Sequence, residues 1–244
     1  MLKVFSVPIL KDNYVHIPVN TETLECVIVD PGVAKPVNEF ILGHHLKPRG
    51  ILLTHHHWDH IGGVQELQKS FELQTFSPLK EHKHIPFASD SLKESDRVKL
   101  AGFNFEVLDL SGHTEGHIGY WERSQGWLFS GDVLFSLGCG RVFDGTIEEH
   151  YQSLQKIKQL PPETWIYCTH EYTELNLRFC QQKLSLNAEE VSALENFAKK
   201  VAELRQDLRP TVPFQLKQEL ELNPFLRVSS FEEFRDLREQ RNQF

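Results

Sequence analysis

The chain of 244 residues lacks the features that mark membrane, secreted and nucleic-acid-binding proteins. No apolar run approaches the ~20 residues of a membrane span, and the first ten residues lack the long apolar segment of a secretory signal. The four cysteines form no CxxC spacing, which argues against both disulfides and a cysteine metal site. The net charge is -8, whereas proteins that bind nucleic acid usually carry a basic surface. We therefore expect a cytoplasmic monomer with neither a membrane nor a nucleic-acid partner.

The most informative segment is a cluster of histidine and aspartate that follows a short apolar run. Residues 51–54 predict a buried strand, and the pattern H-x-H-x-D-H comes directly after them as His55, His57, Asp59 and His60. Imidazole and carboxylate are ligands of borderline divalent metals, and the lack of cysteine here argues against a closed structural zinc site. The alternative is a histidine-rich surface loop, but a Gly-Gly turn that opens a helix organises the segment and favours a metal site.

The spacing of this cluster predicts how its side chains are oriented. In extended chain, side chains two residues apart point the same way, so His55 and His57 are expected to converge on one ion while His56 faces elsewhere. Residues 61–67 resemble the start of a helix. Asp59 and His60 are therefore predicted to lie in the strand-to-helix loop, where α/β proteins place their chemistry.

Strand and helix signals divide the chain near residue 172. Up to that point apolar runs alternate with helical patterns, which argues for α/β layers. The predicted strands are Lys3–Val7, Glu25–Val29, Arg49–Leu53, Phe103–Leu108, Trp127–Ser130 and Trp165–Cys168, and the predicted helices are Lys35–Leu46, Gly63–Ser70 and Thr146–Lys158. Beyond Thr173 strand signals vanish, and helices are predicted at Glu174–Lys183, Ala188–Leu208 and Phe231–Gln240. We therefore predict two domains, residues 1–172 and 173–244.

Three further apolar runs each lead to a residue that can bind metal, namely His113, Asp132 and His170. One such histidine alone is more often a hydrogen-bonded core or surface residue. Three such residues beside H-x-H-x-D-H favour a metal site instead. Seven ligands exceed one tetrahedral ion and suit two ions that share a carboxylate, for which Asp132 is the natural bridge.

The remaining histidines lack the context of a strand end. We interpret as surface residues His16, His44, His45, His56, His82, His84 and His150. His117 is expected to support the loop of His113. Asp30 also ends a predicted strand, and an ordinary turn and the orientation of a ligand histidine are equally good interpretations of it.

H-x-H-x-D-H at residues 55–60, followed along the chain by His113, Asp132 and His170, resembles the motif order of the metallo-β-lactamase superfamily. This resemblance covers residues 1–173. A closer resemblance is to the glyoxalase II (hydroxyacylglutathione hydrolase) family, and it extends over the whole chain through Gly138–Thr146, His170–Thr173, Asn223–Arg227 and Leu237–Phe244. The resemblance implies an α/β fold, an αββα sandwich that carries catalysis, with a C-terminal helical domain that binds the substrate. It also implies metal-dependent hydrolysis of S-D-lactoylglutathione to D-lactate and glutathione, in methylglyoxal detoxification.

The same resemblance assigns roles to individual residues. The first metal would be held by His55, His57 and His113, and the second by Asp59, His60 and His170, with Asp132 between them and Asp59 and Asp132 taking part in catalysis. Glutathione would be held by Arg141, Tyr172, Arg238 and Arg241. On pattern alone the two C-terminal arginines fit a solvated helix face, but guanidinium can grip the carboxylates of glutathione. Two zinc ions are expected, with iron or manganese as alternatives. Phe143 stands where some family members have a substrate-contacting tyrosine.

Other functions fit parts of the pattern. A lactonase or β-lactamase of the same fold would not need the arginine-bearing helical tail, and a mononuclear-iron persulfide dioxygenase would not need a full second ligand set. A non-catalytic, metal-stabilised binding protein is an alternative of another class, and seven ligands exceed what a structural ion requires.

Overall fold

Two six-stranded sheets form the centre of the computed structural model, which describes residues 1–244. The first sheet has the order β1-β2-β3-β4-β5-β6, in which β1 to β3 pair antiparallel and β3 to β6 pair parallel. Its strands are β1 (Leu2–Ile9), β2 (Asn13–Asn20), β3 (Glu25–Val29), β4 (Lys47–Leu52), β5 (Gln74–Pro78) and β6 (Asp90–Leu92).

The second sheet is mainly antiparallel, with one parallel pair. It contains β7 (Arg97–Leu100), β8 (Phe103–Asp109), β9 (Ile118–Glu122) and β10 (Trp127–Gly131). A separate hairpin follows, formed by β11 (Leu134–Phe135) and β12 (Gly138–Cys139). The sheet is completed by β13 (Trp165–Cys168), which runs parallel to β10, and β14 (Phe214–Gln215), which gives the order β14-β13-β10-β9-β8-β7.

Helices cover the outer faces of both sheets. Those of the first two-thirds of the chain are α1 (Ala34–Gly43), α2 (Trp58–Ile61), α3 (Val64–Phe71) and α4 (Ile147–Lys158), with a 3-10 helix at Leu79–His84. The C-terminal helices are α5 (Thr173–Lys183), α6 (Ala188–Gln206), α7 (Leu216–Leu222), α8 (Pro224–Arg227) and α9 (Phe231–Asn242). No helix combines the length and the hydropathy that a membrane crossing requires.

The strand period of two separates the apolar side chains into distinct cores. In β3, Val27 packs into the core between the two sheets, whereas its neighbours Cys26 and Ile28 face the core beneath α1 and α3. In β10, Phe129 faces the intersheet core and Leu128 faces the helices on the far side. This double-sided burial gives four layers, and the expected αββα sandwich is confirmed.

The C-terminal helices share their core with the second sheet. One cluster of 28 buried residues joins Leu128 and Ile166 of the sheet to Phe179, Phe225 and Phe234 of the helices. The expectation that strands end before Thr173 is wrong, because β14 pairs with β13 through Phe214. β14 has only two residues, which is too short for the alternation of apolar and polar residues that identifies a strand in a sequence.

All four cysteines are free and buried. Burial raises the pKa of the Cys26 and Cys180 thiols to about 12 and also raises the pKa of Cys139 and Cys168. Their thiolate forms are therefore scarce at neutral pH.

Candidate active site

The histidine-aspartate cluster follows β4 at the edge of the first sheet. His55 and His57 converge as their spacing predicts, and His55 Nε2 lies 3.0 Å from His57 Nδ1. Asp59 and His60 do not lie in a loop as expected. They belong to the single turn of α2, which His57 precedes in extended conformation. The turn ends at Gly62, where a side chain would meet the Gly32 carbonyl, and α3 begins two residues later.

The three distant ligand candidates reach the same place from the second sheet. His113, Asp132 and His170 follow the ends of β8, β10 and β13. Asp132 Oδ2 lies 3.6 Å from His113 Nε2 and 3.3 Å from His170 Nε2, while its Oδ1 lies 3.5 Å from His60 Nε2. One carboxylate therefore faces ligand candidates from both halves of the cluster.

The seven side chains fall into three overlapping groups whose ligand atoms lie within 4.8 Å of one another. The groups are His55 with His57 and His113, His55 with His60 and Asp132, and Asp59 with His60 and His170. The first and third groups contain the same residues as the two sets inferred from the sequence, and the second contains Asp132, which was expected between them. Their roles as ligands stay predictions.

Three buried polar atoms in this cluster have no hydrogen-bond partner. They are both ring nitrogens of His60 and Oδ1 of Asp132. Since nearly all buried polar groups in proteins are paired, such atoms require an explanation. Nitrogen and oxygen donors aimed at one point are the donor set of a divalent cation, so the residues fit a metal site.

The electrostatics of the metal-free chain also suit cations. Burial lowers the pKa of His113 to about 4 and holds the pKa of His55 well below its usual range, so both rings are neutral at pH 7. Burial opposes charge on His60 as well, but the carboxylates of Asp132 and Asp30 outweigh it and raise its pKa to about 10. Burial likewise opposes charge on Asp132, yet the neighbouring His170 and His60 hold its pKa well below the usual range. A cation would take the place of protons here.

Asp30 supports the cluster from behind. Its carboxylate accepts hydrogen bonds from Thr54 N (2.8 Å) and Thr54 Oγ1 (2.7 Å), and its Oδ2 lies 3.1 Å from His60 Nδ1. Of the two interpretations of Asp30, the structure favours orientation of a ligand histidine. His117 supports the loops as expected, because its Nε2 accepts a hydrogen bond from Asp132 N at 3.2 Å.

Two histidines interpreted as surface residues are buried. His16 is 2% exposed, and its ring pairs with Ser6 Oγ and the Cys168 carbonyl. His150 is fully buried and stacks on Phe234. Neither burial was visible in the sequence, because His16 lies on an unrecognised strand and His150 on a helix whose outer face is covered by the C-terminal region.

A cavity of about 280 Å³ opens directly over the cluster. Besides ligand candidates, its walls include Arg141, Phe143 and Tyr172. The Tyr172 ring stacks on the His170 ring at 4.6 Å and 5°. A second cavity of about 290 Å³ shares Arg141 and Tyr172 with the first and continues towards Arg238 and Arg241. The two cavities form one elongated cleft from the cluster to the C-terminal helix.

Arg238 and Arg241 lie in this cleft in different states. Arg238 is 5% exposed, and its Nη1 donates to the carbonyls of Cys139 (2.7 Å) and Gly140 (3.3 Å). Arg241 is half-buried and donates to Asn176 Oδ1 at 3.1 Å. Of the four residues proposed for glutathione, Arg238 is therefore the least available to a ligand.

Two residues of the site escaped the sequence reasoning. Asn13 Nδ2 donates to Asp59 Oδ2 at 2.9 Å, and Asp12 Oδ1 lies 3.1 Å from His170 Nδ1. Asp12 lies in the turn between β1 and β2 and Asn13 is the first residue of β2, more than forty residues from the nearest ligand candidate in the chain. Asp and Asn are common in turns for purely structural reasons. The sequence therefore contains no sign that Asp12 and Asn13 contact ligand candidates.

Comparisons with known proteins agree with this geometry. A family model described as the metallo-beta-lactamase superfamily matches residues 21–170, and one described as the hydroxyacylglutathione hydrolase C-terminus matches residues 171–244. A hydroxyacylglutathione hydrolase from Bdellovibrio bacteriovorus is 49% identical over 97% of this chain and 96% of its own length.

Solved structures share the fold. A crystal structure of ETHE1 from Myxococcus xanthus has a TM-score of 0.72 at 22% identity, covering 98% of this chain and 90% of its own. That of TTHA1623, in a di-iron-bound form, has a TM-score of 0.60 at 27% identity, covering 68% of this chain and 91% of its own. Because the two family models together span the site and the C-terminal helices, the chain belongs to the hydroxyacylglutathione hydrolase family of the metallo-β-lactamase superfamily.

Proposed function

We propose that this chain hydrolyses thioesters between glutathione and 2-hydroxy acids, with S-D-lactoylglutathione as the principal substrate. The observation that carries the proposal is the elongated cleft, which has seven potential metal ligands at one end and two arginines at the other. A glutathione thioester has the matching polarity, because a reactive carbonyl lies at one end and carboxylates lie at the other.

Two divalent cations complete the proposed centre. One is held by His55, His57 and His113 and the other by Asp59, His60 and His170, with Asp132 shared. Bound cations would supply Lewis-acid chemistry, by lowering the pKa of a water and stabilising negative charge on the thioester carbonyl oxygen. We propose zinc for both positions, with iron or manganese as alternatives, since the donor atoms suit all three. The solved relative with two irons supports the count of two.

The chain's own residues hold the substrate and shape the reaction. Arg141, Arg238 and Arg241 provide positive charge for the glutathione carboxylates, and Tyr172 lines both cavities of the cleft. Asp59 and Asp132 face the reacting end. A thiolate is a good leaving group, so no side chain needs to donate a proton to it.

The setting of the enzyme is also a proposal. Four free cysteines suit a reducing compartment, and we propose the cytoplasm, with the chain acting as a monomer in methylglyoxal detoxification.

Hydrolysis assays on zinc-loaded protein test this function. We expect rapid hydrolysis of S-D-lactoylglutathione, slow hydrolysis of a small thioester without glutathione, and about two zinc ions per chain by elemental analysis. A β-lactam, a lactone and glutathione persulfide serve as comparison substrates. Preference for any of these, or the absence of thioester hydrolysis in protein with full metal content, would contradict the proposal.

A further inference from the structure

The turn between β1 and β2 lies against the second half of the ligand cluster. Tyr14 N donates to the Thr169 carbonyl at 2.7 Å, and Glu171 N donates to the Asp12 carbonyl at 2.8 Å. Tyr14 Oη also donates to Glu171 Oε2 at 2.8 Å. These bonds flank His170 on both sides and fasten the turn to the segment that carries it.

Asp12 of this turn and Asn13 at the start of β2 contact the potential ligands directly. Asp12 Oδ1 accepts a hydrogen bond from His170 Nδ1, which leaves His170 Nε2 to face Asp59 and Asp132. Asn13 is buried, and its Nδ2 donates to Asp59 Oδ2. The first contact fixes which ring nitrogen of His170 is free, and the second restrains the Asp59 carboxylate.

The other half of the cluster has no comparable support from this turn. Its histidines rest on neutral groups, since His55 Nδ1 pairs with Thr54 Oγ1 at 3.0 Å and His113 Nδ1 donates to the Arg141 carbonyl at 2.6 Å. A carboxylate behind an imidazole makes the ring a stronger donor to a cation than a hydroxyl or carbonyl does. The histidines of the first half therefore hydrogen-bond to neutral groups, whereas His170 of the second half hydrogen-bonds to the carboxylate of Asp12.

We propose that Asp12 and Asn13 are positioning residues for the second metal site, which hold His170 and Asp59 in ligand geometry and set the affinity of that site alone. This inference rests on the two-ion centre of the proposed function. It adds the N-terminal turn to the parts of the chain that determine metal occupancy.

Zinc retention in graded chelator tests the proposal. Wild-type holoprotein, Asp12→Ala and Asn13→Ala are equilibrated with chelator, and the bound zinc is counted by mass spectrometry. We expect each variant to release one ion at roughly 10- to 100-fold weaker affinity than the wild type and to retain the other ion normally. Asp12→Asn keeps an acceptor oxygen and should fall between. Lys11→Ala, an exposed change in the same turn, should match the wild type.

A second arm identifies which ion is affected. In a His170→Ala background, Asp12→Ala should cause no further loss, because its partner is already absent. In an Asp59→Ala background, Asn13→Ala should cause little further loss, because only its 3.5 Å contact with His170 Nε2 remains. The proposal is overturned if the double variants bind the remaining ion more weakly still, or if both ions are lost in parallel. Unchanged zinc affinity in the single variants would also overturn it.

The measurement involves no substrate, so it separates two kinds of failure. Wild-type protein that binds two ions but leaves the thioester intact would contradict the proposed activity while this inference stands. Wild-type protein that saturates at one ion would overturn both.

Discussion

Arg238 and Arg241 lie one helical turn apart on α9, but their guanidinium groups contact different partners. Arg238 supports the carbonyls of Cys139 and Gly140, whereas Arg241 contacts one side-chain oxygen at the wall of the cleft. Only the second can turn towards a ligand at little structural cost. Two residues that look equivalent in the sequence are therefore expected to differ in variants.

Arg241→Ala is expected to raise KM for S-D-lactoylglutathione roughly tenfold with a smaller change in kcat, since one charge-assisted contact is worth ~1.5–3 kcal/mol. Arg238→Ala should lower both kcat and thermal stability, because it leaves two backbone carbonyls without their donor. Steady-state kinetics and thermal melts separate the two outcomes.

Arg235→Ala is the matched control on the same helix, because Arg235 is exposed and pairs only with Asp236. If Arg238→Ala and Arg241→Ala raise KM equally and leave thermal stability unchanged, Arg238 contacts glutathione directly and the expected difference is wrong.

All seven ligand candidates could be predicted from the sequence, because each is a histidine or an aspartate that follows a recognisable strand. Of the residues that support them, Asp30 and His117 were also recognised, but three others could not be. Asp12, Asn13 and Glu81 reach the site only through the way the two sheets pack. Glu81, for example, accepts a hydrogen bond from Gly116 N and pairs with His56, so it joins two ligand-bearing loops from a 3-10 helix.

At the scale of elements, the β11–β12 hairpin packs its apolar residues into the shared core and is also held by polar side chains from the C-terminal helices. Glu219 of α7 accepts hydrogen bonds from Leu137 N (2.7 Å) and Ser136 Oγ (3.0 Å). Asn223 Nδ2 donates to the carbonyls of Phe135 (3.1 Å) and Gly138 (3.0 Å). Because Phe135 lines both cavities of the cleft, these contacts fix one wall of the substrate path.

The buried carboxyl of Glu219 makes stability depend on pH. Burial raises its pKa from 4.5 to about 7, against the opposing effect of its hydrogen-bond donors. The folded chain then binds this proton more tightly than the unfolded chain. Its contribution to stability is present below pH 4.5 and is lost as pH rises to about 7, at about 1.4 kcal/mol per unit of pKa difference.

Glu219→Gln should remove this part of the pH dependence. Urea unfolding at pH 5 and pH 7.5 should show that the wild type loses more stability over this interval than the variant does. Glu221→Gln, an exposed change on the same helix, should follow the wild type. The same slope in all three proteins would contradict a titrating Glu219.

Sequence patterns predicted the long elements best. The predicted α4 and α9 agree with the structure to within two residues, because both begin with a side-chain cap and carry a regular apolar face. By contrast β2 was missed. Its residues are buried on both faces except at the end, and its polar His16 and Asn13 interrupt the apolar pattern that would mark a buried strand.

At the scale of the whole molecule, the predicted division at residue 172 separates two sequence patterns that share one core. The largest apolar cluster contains residues from both sides of this boundary. Removing residues 173–244 would expose Leu128, Ile166 and the inner face of α4 to water. The division stays a prediction about function, and we do not expect it to define two independently folding units.

A fragment of residues 1–172 is therefore expected to aggregate or to unfold without cooperativity. Size-exclusion chromatography and thermal circular dichroism of the fragment and the full chain test this expectation. A monomeric fragment with a sharp transition would show that the sandwich is stable alone and that the helices serve only the substrate.

The burial of Cys26, Cys168 and Cys180, away from the cleft that Cys139 lines, has a consequence for the proposed chemistry. The reaction releases a free thiol into the cleft at every turnover, and its oxidised form is a disulfide that exchanges with accessible thiolates. Cys26, Cys168 and Cys180 are at most 1% exposed, and burial keeps their thiolates scarce. We expect no mixed disulfide at these positions when the folded protein is incubated with glutathione disulfide and weighed by intact mass spectrometry. The fold thus protects these three positions from the disulfide that forms when the released thiol is oxidised.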